Sequence, residues 1–212
     1  RILINRGARL NVLDEDGATI LSAHELMKLN DQELFAEQNP EKRQEREKIQ
    51  DFLVRRIEET RNLHNRIRHY SEHGFKIDKS APLEPQIAQH RQKLLSDIQF
   101  CLKNGADPNG MVAADGEKGY YPAALHQLTR SDFPQDFAIS IADILLKNGA
   151  NINQRDQYGS PPLDTALCFD NTELADHLIK SGANPGYRTK EGWTILNAAA
   201  LCGQAKYMDI GI

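Results

Sequence analysis

The chain has 212 residues, 26% charged and 40% hydrophobic, and its 26 Lys and Arg against 30 Asp and Glu leave a net charge of −4. That balance offers no global attraction to nucleic acid or to an anionic membrane surface, and no apolar run reaches the roughly 18 residues a membrane-spanning helix needs. Cys101, Cys168 and Cys202 are odd in number and widely spaced, which fits small buried residues in a reducing, cytoplasmic compartment and not a disulfide framework.

In chain order, the first feature is a helix stop. Leu3-Ile-Asn-Arg-Gly7-Ala-Arg-Leu-Asn11 is an apolar helix end followed by a Gly, which supplies the left-handed conformation after a last turn. Gly17-Ala-Thr19-Ile20-Leu21 then predicts a helix from about 19 to 27. A long helical insertion is expected over 28–78. Asn39-Pro40-Glu41 opens it with a cap, a Pro at the first position and an acid in the first turn, and no Gly or Pro follows before Gly74. Ile49, Phe52, Leu53, Ile57, Leu63, Ile67 and Tyr70 fall mostly at helical spacing on one face. A helix of that extent reaches roughly 50 Å at about 1.5 Å per residue.

Residues 79–109 read as a degenerate unit. Pro85 makes a poor first helix after Ala81-Pro82-Leu83, and 86–103 is mainly one helix ending in the stop Cys101-Leu-Lys-Asn-Gly105-Ala-Asp-Pro-Asn109. Residues 110–154 read as a unit with enlarged loops: 111–118 is longer than the corresponding turn elsewhere, and Ser131 to Gln135 widens the link between two helices. Tyr120-Tyr121-Pro122-Ala-Ala-Leu125-His126 opens its first helix, and 137–147 is its second.

Residues 155–187 form a regular unit and 188–212 a truncated one. LLKNGANIN at 145–153 returns as LIKSGANPG at 178–186, and Gly159-Ser-Pro-Pro-Leu163 returns as Gly192-Trp-Thr-Ile-Leu196. Gly149 to Gly182 and Gly159 to Gly192 are both separated by 33 residues. A fixed period of that length marks a stacked repeat. Each unit is a turn and two helices, neither of which can bury its apolar face alone, so neighbours stack into one core.

These residues resemble the ankyrin repeat. Asp156-Gln-Tyr-Gly159-Ser-Pro-Pro162-Leu163-Asp-Thr-Ala166 follows the pattern of its hairpin and first helix, and Leu178-Ile-Lys-Ser-Gly182-Ala-Asn that of its second helix end. Gly192-Trp-Thr194-Ile-Leu196-Asn-Ala-Ala199 follows it again in the next unit. The match is strong over about 137–210 and 1–23 and weak between them. The resemblance implies an all-α ankyrin-repeat solenoid, one domain over 1–212 interrupted by the long helical insertion. It implies that His126, and Asp164 and Asn197 at the same place in the next two units, brace the turns by hydrogen bonds. It also implies non-catalytic binding of another protein through the hairpin tips and the concave first-helix surface. The chain starts and stops inside repeats, so it reads as a monomeric piece of a longer protein. The alternative is a substrate-recruiting or regulatory region of a larger multidomain enzyme, or of a bacterial effector delivered into a host cell, with catalysis outside these residues.

The residues that carry chemistry elsewhere have structural readings here. His64, His69 and His73 lie close on the long helix, but no cysteine or carboxylate completes a zinc pattern. Cys168 or Cys202 with His126, His177 or Asp164 could form a nucleophile on paper, yet the repeat register puts these residues in packing positions. No phosphate-binding Gly loop or dinucleotide fingerprint is present. No catalytic residue, metal or cofactor is therefore expected. For partner binding the candidates are Trp193, Tyr158, Tyr187, Tyr120 and Tyr121, interleaved with Arg155, Arg188, Lys190 and Glu191, since aromatic residues and arginine anchor interfaces most often. Arg55, Arg56, Arg61, Arg66 and Arg68 make the second half of the long helix basic: either a docking surface for an acidic partner or a solvated face laced with i, i+4 pairs.

Overall fold

The structure, a computed structural model, describes residues 40–74, 78, 80–113 and 120–208. The repeat expected at 1–23, the insertion over 28–39, the residues 114–119 and the last four residues lie outside the described residues.

Seven helices follow in the described residues: α1 (Pro40–His73), α2 (Leu83–Lys103), α3 (Ala124–Thr129), α4 (Gln135–Lys147), α5 (Pro162–Cys168), α6 (Thr172–Lys180) and α7 (Ile195–Leu201). A 3-10 turn at Ala205–Tyr207 follows α7. Between α2 and α3 two short strands, β1 (Val112–Ala113) and β2 (Tyr120–Tyr121), pair antiparallel with Val112 opposite Tyr121. The architecture is the expected all-α stack. α3, α5 and α7 pack in succession as one row, α2, α4 and α6 as the other, and each pair is joined by a short loop.

The second helices end alike. Four residues before the stop glycines Gly105, Gly149 and Gly182 stand the buried Cys101, Leu145 and Leu178. Each glycine has a positive φ (102, 87 and 96°), and the next N–H turns back onto the helix: Ala106 to Cys101 O at 3.0 Å, Ala150 to Leu145 O and Ala183 to Leu178 O at 2.9 Å. This is the left-handed cap that satisfies the last carbonyls. A residue with a Cβ would be strained at each position.

α1 corrects the expected insertion. Its 34 residues are one continuous helix, but it is not an excursion between repeats. Leu53, Thr60, Leu63, His64 and Ile67 form a buried stripe at helical spacing, and that stripe packs against α2, α3 and β1. Among the described residues α1 thus stands first in the first-helix row, with α2 as its own second helix. The unit expected to be degenerate at 79–109 begins instead at α1, and its first helix is overgrown, not lost. Pro85 causes no break because it falls in the first turn of α2, where its missing N–H has no partner to lose. Gln86 pins the preceding turn, accepting from the Asp78 N–H at 2.7 Å and donating to the Asp78, Ala81 and Pro82 carbonyls. Phe52, expected on the apolar face, sits off the stripe and is 54% exposed.

One core runs the length of the stack, from Leu63 and Ile67 through Leu125, Ile141, Leu163 and Leu174 to Tyr207. Each fully buried aliphatic side chain stabilises the fold by about 1.5–3 kcal/mol.

Candidate functional site

The first-helix row carries a ladder of polar side chains reaching from each unit to the next. His126 in α3 contacts the Ser160 carbonyl at 3.0 Å. His64 in α1 does the same to the Gly110 carbonyl at 2.9 Å. A carbonyl only accepts, so Nε2 carries the proton in both rings. Burial holds both imidazoles neutral: desolvation pushes His64 down to about 4 and lowers His126 as well, and the carbonyl contact opposes this only in part. Asp164 fills the same place in α5 with the polarity reversed, accepting a hydrogen bond from the Tyr187 phenol of the next hairpin. Asn197 stays exposed and turns back on its own helix start instead, closing a capping box with Thr194.

Tyr187, expected among the exposed binding residues, is therefore a core residue. It is 3% exposed, and burial together with the Asp164 carboxylate raises its phenol above the ordinary range. Its hydroxyl compensates for the aspartate that replaces a histidine in the row.

The basic half of α1 is also largely engaged with the repeats. Arg56 pairs with the buried Asp107 at 3.0 Å, Arg55 donates to Asn104 at 2.9 Å, and Arg66 pairs with Asp97. Arg68 donates to the Tyr121 hydroxyl, its guanidinium 4.6 Å from the ring centre. Arg61 is half-buried, with its Nε fully enclosed. Four of the five arginines expected to form a docking face, and Tyr121 with them, are used to fix α1 onto the repeats. Arg130, four residues beyond His126 as Arg68 is beyond His64, repeats the device by pairing with Asp156 of the next hairpin at 3.2 Å.

The cysteines are not uniformly the buried residues expected: Cys168 is exposed and Cys202 half-buried. Cys101 is buried; Cys168 and Cys202 are in hydrogen-bonding contact at the ends of α5 and α7. Desolvation, then the Asp164 carboxylate, push the Cys168 thiol up to about 12, far from a thiolate near neutral pH. Of the three histidines on α1, His64 is committed to Gly110, His69 is exposed with its ring edge-on to Tyr70 at 5.8 Å, and the His73 side chain lies outside the described residues. No group of three or more His, Cys, Asp or Glu able to hold a metal ion occurs among the described residues.

The two hairpins 155–160 and 188–193 lie side by side. Gly159 has a positive φ of 80°, and a Cβ there would stand 3.0 Å from the Lys190 backbone nitrogen, so the hairpins touch only because this residue has no side chain. Arg155 donates to the Gly159 carbonyl at 2.7 Å within its own hairpin and to the Arg188 carbonyl at 2.5 Å across the gap. Arg188 repeats the first contact one unit later, donating to the Gly192 carbonyl at 3.0 Å. Tyr158 and Trp193 project from this edge, 57% and 44% exposed, on opposite sides of their hairpin glycines. The side chain of Tyr120 lies outside the described residues.

Residues 125–210 match the family model for ankyrin repeats, in three copies. This segment is an ankyrin-repeat array. No curated protein matches the chain. The ankyrin array begins inside α3, so α1 and α2, which extend the stack on one side, lie beyond the matched residues. No helix among the described residues is long and apolar enough to cross a membrane.

Two residues of the ankyrin array's exposed face escape sequence reasoning. Phe169 follows α5, 54% exposed, with the Arg130 guanidinium 5.9 Å from its ring centre. Arg130 itself borders a small half-open pocket with Met111, Pro122, Asp156, Gln157 and Tyr158. The signal available was a large aromatic at a helix end where packing needs none, next to Asp170 with its positive φ of 58°.

Proposed function

We propose that this chain is a non-catalytic protein-binding module whose contact surface is the hairpin edge of the ankyrin array. Ankyrin repeats are in general protein–protein interaction modules, and fold alone leaves the surface open. One observation carries the choice: the polar groups suited to chemistry are engaged within the fold, whereas Tyr158 and Trp193 stand exposed on two adjoining, internally braced hairpins. Large aromatic residues on a rigid support anchor interfaces at low entropic cost.

The test is affinity capture with the intact chain against Trp193→Ala and Tyr158→Ala. Losing the same captured protein in both variants supports the edge. Undiminished capture in both, with unchanged circular dichroism, removes it.

A further inference from the structure

Some cations of the stack are matched by carboxylates, and those of the two hairpins are not. Arg56, Arg66, Arg91, Arg130 and Lys206 each sit on a carboxylate: Asp107, Asp97, Asp136, Asp156 and Asp176 in turn. Arg155, Arg188 and Lys190 spend their hydrogen bonds on main-chain carbonyls instead, those of Gly159, Arg188, Gly192 and, at 3.4 Å, Gln157. A carbonyl satisfies the donor but cancels no charge. Asp156, the acid of the first hairpin, is already matched by Arg130. Within the two hairpins 155–160 and 188–193, Glu191 is then the one acid left against three exposed cations. In a chain of net charge −4, these two hairpins carry a surplus of positive charge, braced by those carbonyl bonds and flanked by Tyr158 and Trp193.

From this we infer that the partner presents an acidic, extended segment that lies along the edge, its carboxylates on Arg155, Arg188 and Lys190 and its apolar side chains against Tyr158 and Trp193. The inference rests on the protein-binding reading above and narrows the partner's chemistry. Fixed guanidinium groups lose little freedom when a carboxylate arrives and accept it with two parallel hydrogen bonds. An acidic peptide fits better than a nucleic acid strand. A short peptide brings a few carboxylates to the three cations and apolar side chains to the aromatic residues, whereas a phosphate chain sets a charge at every nucleotide against Glu191 and a net charge of −4.

The experiment is selection of a random peptide display library on the intact chain, followed by affinity measurement of the selected peptides. Enrichment in Asp and Glu is expected. Their binding should weaken about tenfold in Arg188→Gln with Lys190→Gln, which keeps amide donors but removes both charges, and weaken likewise for the unaltered chain as salt rises. Arg188→Lys with Lys190→Arg, which keeps both charges but moves the guanidinium fork, should weaken binding only about threefold; a loss as large as that of the charge-removing pair would show that charge is not what the edge reads, and would overturn the inference. Selected peptides without acidic enrichment, or acidic peptides indifferent to the charge-removing pair, would also overturn it while leaving the protein-binding reading intact. So would single-stranded nucleic acid that binds the same residues more tightly than any selected peptide. Failure to select any peptide would count against both readings.

Discussion

The unit headed by α1 and the unit at 155–187 solve one packing problem with first helices of 34 and 7 residues. Their joints are alike. Each second helix stops at a left-handed glycine, Gly105 or Gly182, and each first helix sends a polar side chain to the following hairpin, His64 to Gly110 or Asp164 to Tyr187. The means of attachment differ. α5 is buried at nearly every position and is held by its surroundings. α1 buries a single stripe and adds arginine contacts to Asn104, Asp107, Asp97 and Tyr121 along one flank. A unit belongs to the stack through its joints, and the length of a helix between them is free to vary.

The strongest way to break this comparison is to empty the α1 stripe. Leu63 is fully buried, so Leu63→Ala should cost about 2–5 kcal/mol, as Leu163→Ala in α5 should. Phe52→Ala, off the stripe, should stay within about 0.5 kcal/mol. The single tryptophan, Trp193, reports from the far end of the stack. Urea unfolding followed by its fluorescence should show the Leu63→Ala loss there. An unmoved Trp193 transition would mean that α1 is an appendage and not part of the stack.

The next test is pH. Unfolded, His64 takes its proton near 6.5; folded, it resists until about 4 because the ring is buried. Between those values the unfolded chain binds more protons, so stability falls as pH drops from 6.5 towards 4 and the loss is complete below the folded value. The contribution at stake is about 3 kcal/mol. His126, lowered for the same reason, adds to the fall from the unit between the two compared. His64→Gln keeps an amide donor for the Gly110 carbonyl and cannot titrate, so it should flatten part of the acid limb in denaturation midpoints measured across that window. An unchanged slope would place the titration elsewhere.

What the sequence made legible is what a backbone geometry enforces. The glycine stops and the 33-residue period between Gly149 and Gly182 read directly, since no other residue adopts those angles cheaply. The role of α1 was hidden for a physical reason. A surface helix and a repeat's first helix share the same amphipathic spacing, and what distinguishes them is His64 meeting Gly110, 46 residues away. Tyr187 was misplaced likewise, because its partner Asp164 lies one unit earlier and spacing does not say which way a hairpin side chain turns. Tyr158 and Trp193 were visible as aromatic residues beside hairpin glycines. The imbalance of charge around them depends on which acids the other arginines already hold, which only contacts reveal.

The smallest effects separate the joint from the flank. Among the described side chains of α1, Arg56 is the arginine paired with an acid that is nearly inaccessible, the Asp107 side chain being 4% exposed. Asp107 also accepts from the Asn109 N–H at 2.9 Å, at the start of the hairpin that receives His64. Removing the guanidinium by Arg56→Ala strands that carboxylate and should cost about 1–3 kcal/mol. Arg66 is 45% exposed and its partner Asp97 22%, so solvent already screens the pair. Arg66→Ala should cost about 0–1 kcal/mol, and less at high salt. Paired chemical denaturation of the two variants at low and high salt reads the difference. If Arg66→Ala proved as costly as Arg56→Ala, the length of the flank would hold α1 in place. If only Arg56→Ala is costly, the helix is held where the regular units are held, at the junction with the next hairpin.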